Sequence, residues 1–204
     1  MATVLCVGHA VQDFVFNVTV IPCTAEKHRA TGFSSVGGGP AATAAVAIAK
    51  LGGHALLAAR VGDDPVAGLI ETELLRHGVD CRHLRRFPGC ASSLSAVLLD
   101  ASGERLIVNH LDPAIPTAAD WLPDLVSAGC QAVLVDTRWP DGALAALQAA
   151  RAAGLPAVLD ADRPIPADGA VLAAATHVAF SHAALSDYTG EPDPVRALMM
   201  AGLD

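Results

Sequence analysis

Three groups of residues in this chain have the types and spacing to do chemistry. The stretch "VGGGPAATAA" places Gly37, Gly38 and Gly39 directly before a helix-forming run. Glycines let a ligand approach the backbone where a Cβ would forbid it, and the first amides of a helix have no intrahelical partner. The segment therefore reads either as a cradle for a polar ligand or as a tight strand-to-helix turn, and it leaves both open. It is not a P-loop, because no Lys stands in the Walker position, and "CVGHAVQDF" after the first strand offers only Gly8 in place of a G-x-G-x-x-G pattern. Asp13, just past that strand, is a carboxylate able to accept hydrogen bonds from two hydroxyls, with a surface or capping role as the alternative. Arg138 follows the buried run "AVLVDT", at the carboxyl end of a strand where open α/β sheets bind ligands. Its guanidinium is a planar fork suited to a sulfonate or phosphate, and its alternative is a salt bridge to Asp136, Asp141 or Asp160. Taken alone, these residues support an anion and polyol pocket in an α/β protein.

The elements that must position them follow from periodicity. "TVLCVG" at residues 3–8 is a short apolar run ending in Gly, the pattern of a strand buried on both faces. From about 14 to 36, "FVFNVTV" and "HRATGFSSV" alternate apolar and polar residues around the turn-like "IPCTAEKHR", which predicts a small sheet projecting from the body. After Pro40 an alanine-rich helix runs to the stop at Gly52 and Gly53. "HALLAARVG" returns to strand, "DPVAGLIETELLRHG" is an amphipathic helix that Asp63 and Asp64 are placed to cap, and "VDCRHLRRF" is extended. "SSLSAVLLDASGERLIVNH" predicts a hairpin turning at Gly103, adding strands at about 94–110 to the projecting sheet. From "WLPDLVSAG" onward the α/β rhythm resumes, with three buried strands alternating with helices. His9 is expected to be packed or water-linked; Arg60 and Arg105 either line a site or pair with carboxylates.

The 204 residues fit one domain. A net charge of −8, with no aromatic interleaving of the arginines, argues against nucleic acid as a partner. No stretch approaches the ~18 consecutive apolar residues of a membrane span, and the N-terminus has no basic leader, so a cytoplasmic protein with no membrane partner is expected. Five cysteines without a C-x-x-C pair read as buried or incidental thiols, not as a disulfide set or a metal site.

Together, Gly8 and Asp13, "VGGGPAATAAVAIAKLGG", "ARVGDDPVAGLIETELLRHGVD" and "SSLSAVLLDASGERLIVNH" resemble the N-terminal part of the ribokinase-like, PfkB-type carbohydrate kinases, and the likeness runs over nearly the whole chain. Within that family, "GGGPAATAAVA", "GER" followed by an Asn-bearing strand end, and "DTRWPDGA" are most similar to the bacterial sulfofructose kinases. The resemblance implies a doubly wound, mostly parallel α/β sheet with a small β lid that also serves as a dimer clasp, hence a homodimer. It implies ATP and Mg2+ as cofactors and phosphorylation of the C1 hydroxyl of a ketose, 6-deoxy-6-sulfofructose among the candidates. It implies that Asp13, Gly38 and Gly39 hold hydroxyls and that Lys27, Asn109 and Arg138 hold an anionic end, although a lone turn Lys is more often simply solvated. A fructose-like neutral sugar, or a non-catalytic sugar-binding or dimerising module, are the alternatives.

Departures accompany the likeness. Ala42 stands where family members commonly carry a sugar-contacting Asn. "SHAALSDYTG" has Ser181 and Ala184 where an Asn-x-x-Glu motif organises metal and phosphate, so no metal ligand is carried over. The "DTTGAGD"-type segment with the catalytic base does not occur in this sequence, and the chain closes at "DPVRALMMAGLD", where a doubly wound fold would return to another strand. The expectation is a fold cut short at its C-terminus, with no catalytic residue of its own and most of the nucleotide pocket absent.

Overall fold

The computed structural model describes residues 1–163, 165 and 169–202. Its first strand, β1 (Thr3–Gly8), is the hub of a six-stranded sheet. β4 (His54–Gly62) and β5 (Asp80–Phe87) extend the sheet on one side of it, and β8 (Ala132–Asp136), β9 (Ala157–Ala161) and β10 (His177–Phe180) on the other. Every pairing in this sheet is parallel. Alternate residues of β1 enter different cores, as a strand buried on both faces requires. Leu5 and Val7 join the cluster under α3 (Pro140–Ala152) and α4 (Ala170–Ala174), while Cys6 joins the cluster under α1 (Pro40–Lys50) and α2 (Pro65–Arg76). α5 (His182–Thr189) and α6 (Pro194–Met200) follow β10. The chain thus winds outward from β1 in both directions, the doubly wound α/β arrangement expected from the sequence.

The second sheet is the lid, with strand order β3-β2-β6-β7: β2 (Val11–Asn17), β3 (Gly32–Gly38), β6 (Leu94–Leu99) and β7 (Arg105–His110). β2 pairs antiparallel with β3 and parallel with β6, and β6 and β7 form the expected hairpin, where Gly103 adopts φ 89° and donates to Asp100 O. The lid face follows from register. Asp13, Val36, Ser95 and Asn109 lie in one transverse row, and Phe14, Phe16 and Phe33 belong to the opposite face, where their rings cluster with centroids 5.1 and 6.3 Å apart.

α1 is the element that closes the site. Buried Ala41, Ala42 and Ala45 let it pack directly on β1 and β4, and Pro40 occupies the first turn where its missing N–H costs nothing. Gly39 precedes it with φ 97°, and a Cβ there would stand 2.3 Å from His9 O, so no other residue fits. Asp64 caps α2 as expected, accepting from Ala67 N at 2.9 Å, and the same carboxylate also accepts from Ser92 N and Ser92 Oγ, each at 2.7 Å. "WLPDLVSAG" departs from the helical rhythm: it forms turns that bury Leu125 and stack Trp121 on Trp139 with ring centroids 5.2 Å apart. Pro123 in its middle, which has no N–H to give to a helix, accounts for the difference. Cys6, Cys81 and Cys130 are buried and all five thiols are free.

Candidate functional site

The two sheets meet over the carboxyl ends of β1, β8 and β9, and there they enclose a cavity of about 750 Å³ whose lining includes Asp13, Gly38, Gly39, Thr43, Arg105, Arg138 and Asp160. Four of the six residues expected to bind substrate come together in it. Asp13 reaches it from β2, with its carboxylate over Gly38: a Cβ at Gly38 would stand 2.3 Å from Asp13 Oδ2. Arg138 reaches it from the turn after β8. It pairs with Asp162, which is not one of the three carboxylates the sequence suggested, and its Nε is buried with no hydrogen-bond partner among the described residues. Asp160 is pushed above the usual carboxylate range, first by burial and then by the neighbouring charge of Asp162, with Arg138 opposing.

Lys27 and Asn109 are placed differently. Lys27 lies in a separate depression with Phe16 and Leu98, residues of the lid face opposite Asp13. Asn109 shares the row of Asp13, but its Nδ2 already donates to Ser93 Oγ, Leu94 O and Ser95 Oγ at 3.1 to 3.2 Å, so its amide N–H₂ is engaged. Of the two arginines left undecided, Arg105 lines the cavity. Arg60 does not: it donates to Pro116 O at 3.0 Å and lies over the Trp139 ring at 4.7 Å.

The start of α1 is not the open set of amides that the sequence suggests. Pro40 has no N–H, Ala41 N donates to Asp136 Oδ2 at 3.0 Å, Ala42 N to His9 O at 3.3 Å and Thr43 N to Gly39 O at 2.8 Å. With every first-turn donor partnered, the floor of the cavity is shaped by the absence of side chains at Gly38 and Gly39, not by helix-end amides. The carboxylate that takes Ala41 N sits too far along the chain for local sequence patterns to reveal it.

His9 is held from behind. Ser93 Oγ donates to His110 O at 2.9 Å, so it accepts from the His9 ring at Nε2, 3.2 Å away. Burial lowers His9 to a pKa of about 4, with the charges of Arg138, Arg60 and Arg163 adding to the effect, so the imidazole is neutral near pH 7. Chemically, the cavity offers a carboxylate for hydroxyls on one wall and guanidiniums for a negative group on the others.

Comparison with known proteins bears on what such a cavity accepts. The sequence profile of the pfkB family carbohydrate kinases matches residues 1–202. The chain belongs to that family. As a pfkB family member it is similar to fructokinase of Escherichia coli, with 43% identity over 77 residues, 38% of this chain and 25% of that protein. A solved ribokinase-like protein of Agrobacterium tumefaciens superposes with a TM-score of 0.89 at 36% identity, covering 97% of this chain and 65% of that one. The structure of Arabidopsis thaliana ribokinase complexed with ribose and ATP matches at a TM-score of 0.77 and 24% identity, covering 98% of this chain and 67% of that one, a likeness of fold. Alignments to the curated relatives span from 25% to 32% of their length. Among the described residues, no group of three or more His, Cys, Asp or Glu could hold a metal ion. No helix of the described residues is long and apolar enough to cross a membrane.

Proposed function

We propose that this pfkB family chain supplies the sugar-binding part of an ATP-dependent kinase that phosphorylates the C1 hydroxyl of a ketose, and that the ketose carries a sulfonate or phosphate at its far end. Asp13 accepts from the sugar hydroxyls above Gly38 and Gly39, and the anionic end lies toward Arg105 and Arg138. The observation that carries this reading is the presence of two guanidiniums in the same cavity as Asp13, one of them with a buried Nε that has no partner among the described residues. Phosphoryl transfer depends on positioning and on electrostatic stabilisation of the migrating group. The described residues contribute to the positioning of the sugar, and none of them is assigned as the base.

The lid also supports a homodimer in this reading. Its outer face exposes Phe33 at 59% and Val108 at 63%, a patch that a second lid would cover. Lys27 lies on that same outer face, so its ammonium serves an anionic substrate only by reaching the cavity of a second copy. A fructose-like neutral substrate is the second reading, favoured by the pairing of Arg138 with Asp162 and by the likeness to E. coli fructokinase.

Calorimetric titration of the chain with 6-deoxy-6-sulfofructose, fructose 6-phosphate and fructose separates the two. The anionic reading expects the charged ketoses to bind at least about tenfold more tightly than fructose, and Arg138→Ala to erase the difference, a loss of about 1.4 kcal/mol or more. Equal affinities that Arg138→Ala leaves unchanged would select the neutral sugar instead.

A further inference from the structure

Asp136 ends β8 with none of its surface exposed. A buried carboxylate is normally paired with a cation, yet among the described residues it forms no ion pair, because the nearby guanidinium of Arg138 turns to Asp162. Its partners are instead three backbone amides. Oδ2 accepts from His9 N at 2.8 Å and Ala41 N at 3.0 Å, and Oδ1 accepts from Arg138 N at 2.8 Å. Burial raises its pKa while these three donors hold it down. The carboxylate packs directly over Gly8, where a Cβ would stand 2.3 Å from Oδ2.

The three donors belong to the three segments that build the cavity. His9 lies in the link between β1 and β2, four residues before Asp13. Ala41 is in the first turn of α1, just after Gly38 and Gly39. Arg138 is itself a lining residue. We infer that Asp136 is a positioning residue of the sugar site, whose carboxylate fixes the relative placement of Asp13, the glycine floor and Arg138. This rests on the sugar-site reading proposed above. An ordinary buried polar group would affect stability alone; a positioning group also changes affinity while the protein remains folded.

Asp136→Asn tests it, because the amide offers one acceptor oxygen where the carboxylate offers two. If that oxygen keeps His9 and Ala41, the amide N–H₂ opposes the N–H of Arg138, and the turn carrying the guanidinium is released. The control is Leu147→Ala, which opens a void beneath α3 away from the cavity, with both proteins titrated well below their melting temperatures. The expected result is that Asp136→Asn weakens fructose 6-phosphate by about tenfold or more and fructose by less, while Leu147→Ala leaves both within about twofold. Affinities in Asp136→Asn no weaker than in Leu147→Ala would overturn the inference. Should Asp136→Asn fail to fold, hydrogen exchange of the unaltered chain decides. Amides of His9, Ala41 and Arg138 that exchange only through global unfolding support the clamp, and fast exchange at any of the three overturns it. If the unaltered chain binds neither sugar, the sugar-site reading falls and takes the positioning role with it; slow exchange at the three amides would then mark Asp136 as architectural only.

Discussion

Gly38→Ala separates the geometry of the cavity from the stability of the fold. Gly38 lies in β3, and its backbone is not in the left-handed region, so alanine suits its φ. The added methyl, however, would stand 2.3 Å from Asp13 Oδ2 and 3.1 Å from Val11 Cγ1. The Asp13 carboxylate is the end of a flexible side chain, so it swings aside at modest cost to stability. What it loses is its hold on the sugar. A hydrogen bond to a charged group contributes about 2 kcal/mol, so losing one hydroxyl weakens binding about 30-fold and losing both about 1,000-fold. Gly37→Ala is the internal control, because its methyl would point the other way, meeting Glu73 Cγ at 3.1 Å. Thermal melts and calorimetry on the two variants should therefore diverge. Gly38→Ala melts close to the parent yet binds sugar at least about 30-fold more weakly, while Gly37→Ala binds as the parent does. Parental sugar affinity in a folded Gly38→Ala chain would refute the reasoning, since Asp13 could not then be the group that holds the hydroxyls.

Other outcomes follow from the hydrogen bonds around the lid. Asp64→Ala removes the α2 cap and the link to Ser92 and should cost about 1 to 2 kcal/mol in denaturant melts at neutral pH. Burial alone would raise the Asp64 pKa, yet folding lowers it, because Ser92 and the α2 amides bind the carboxylate. Its contribution is thus present above the unfolded carboxylate pKa and fades as pH falls through the lower folded value, so parent and variant should converge in strong acid. For His9 the folded pKa of about 4 lies below the ordinary 6.5. The neutral ring therefore favours the fold above 6.5, and about 3 kcal/mol of stability should be lost between there and pH 4, a slope that His9→Gln removes. If Lys27 serves the cavity of a second copy, Lys27→Ala and Asp13→Ala chains each bind an anionic ketose poorly, and mixing them restores one intact site per mixed dimer. Calorimetry on the mixture checks this; no recovery would place Lys27 outside the site.

The alternation of β1 between two cores, the alanine face of α1, the Asp64 cap and the Gly103 hairpin were all legible in sequence, because each is set by periodicity or by a turn residue acting over a few positions. The same local logic misread "WLPDLVSAG", where irregular turns bury Leu125 and leave Val126 exposed. It also misread the α1 amides, whose partner Asp136 is 95 residues away from Ala41. The cavity shows the same division. Asp13 and the glycines could be found from their place after strands, and Arg138 from its strand end. Its partner Asp162 could not, and neither could the inward aim of Arg105 or the outward aim of Lys27, because these depend on which face of the lid a residue occupies.

The lid joins the body along a stepped row of strand ends, Val11 paired with Gly38 and, one residue further along β2, Gln12 with Leu94 and Leu94 with His110. Just on the body side of that row, the carboxylates of Asp64, Asp112 and Asp136 grip the backbones of Ser92, Ala91 and His9. Beyond it, the strands answer mainly to one another. The boundary divides the protein into a part that must keep its residues to fold and a part free to change what it meets. Selectivity could therefore drift by exchange of lid residues past the row, with the carboxylate grips untouched, and a lid transplanted from a relative at those four strand ends would arrive already in register.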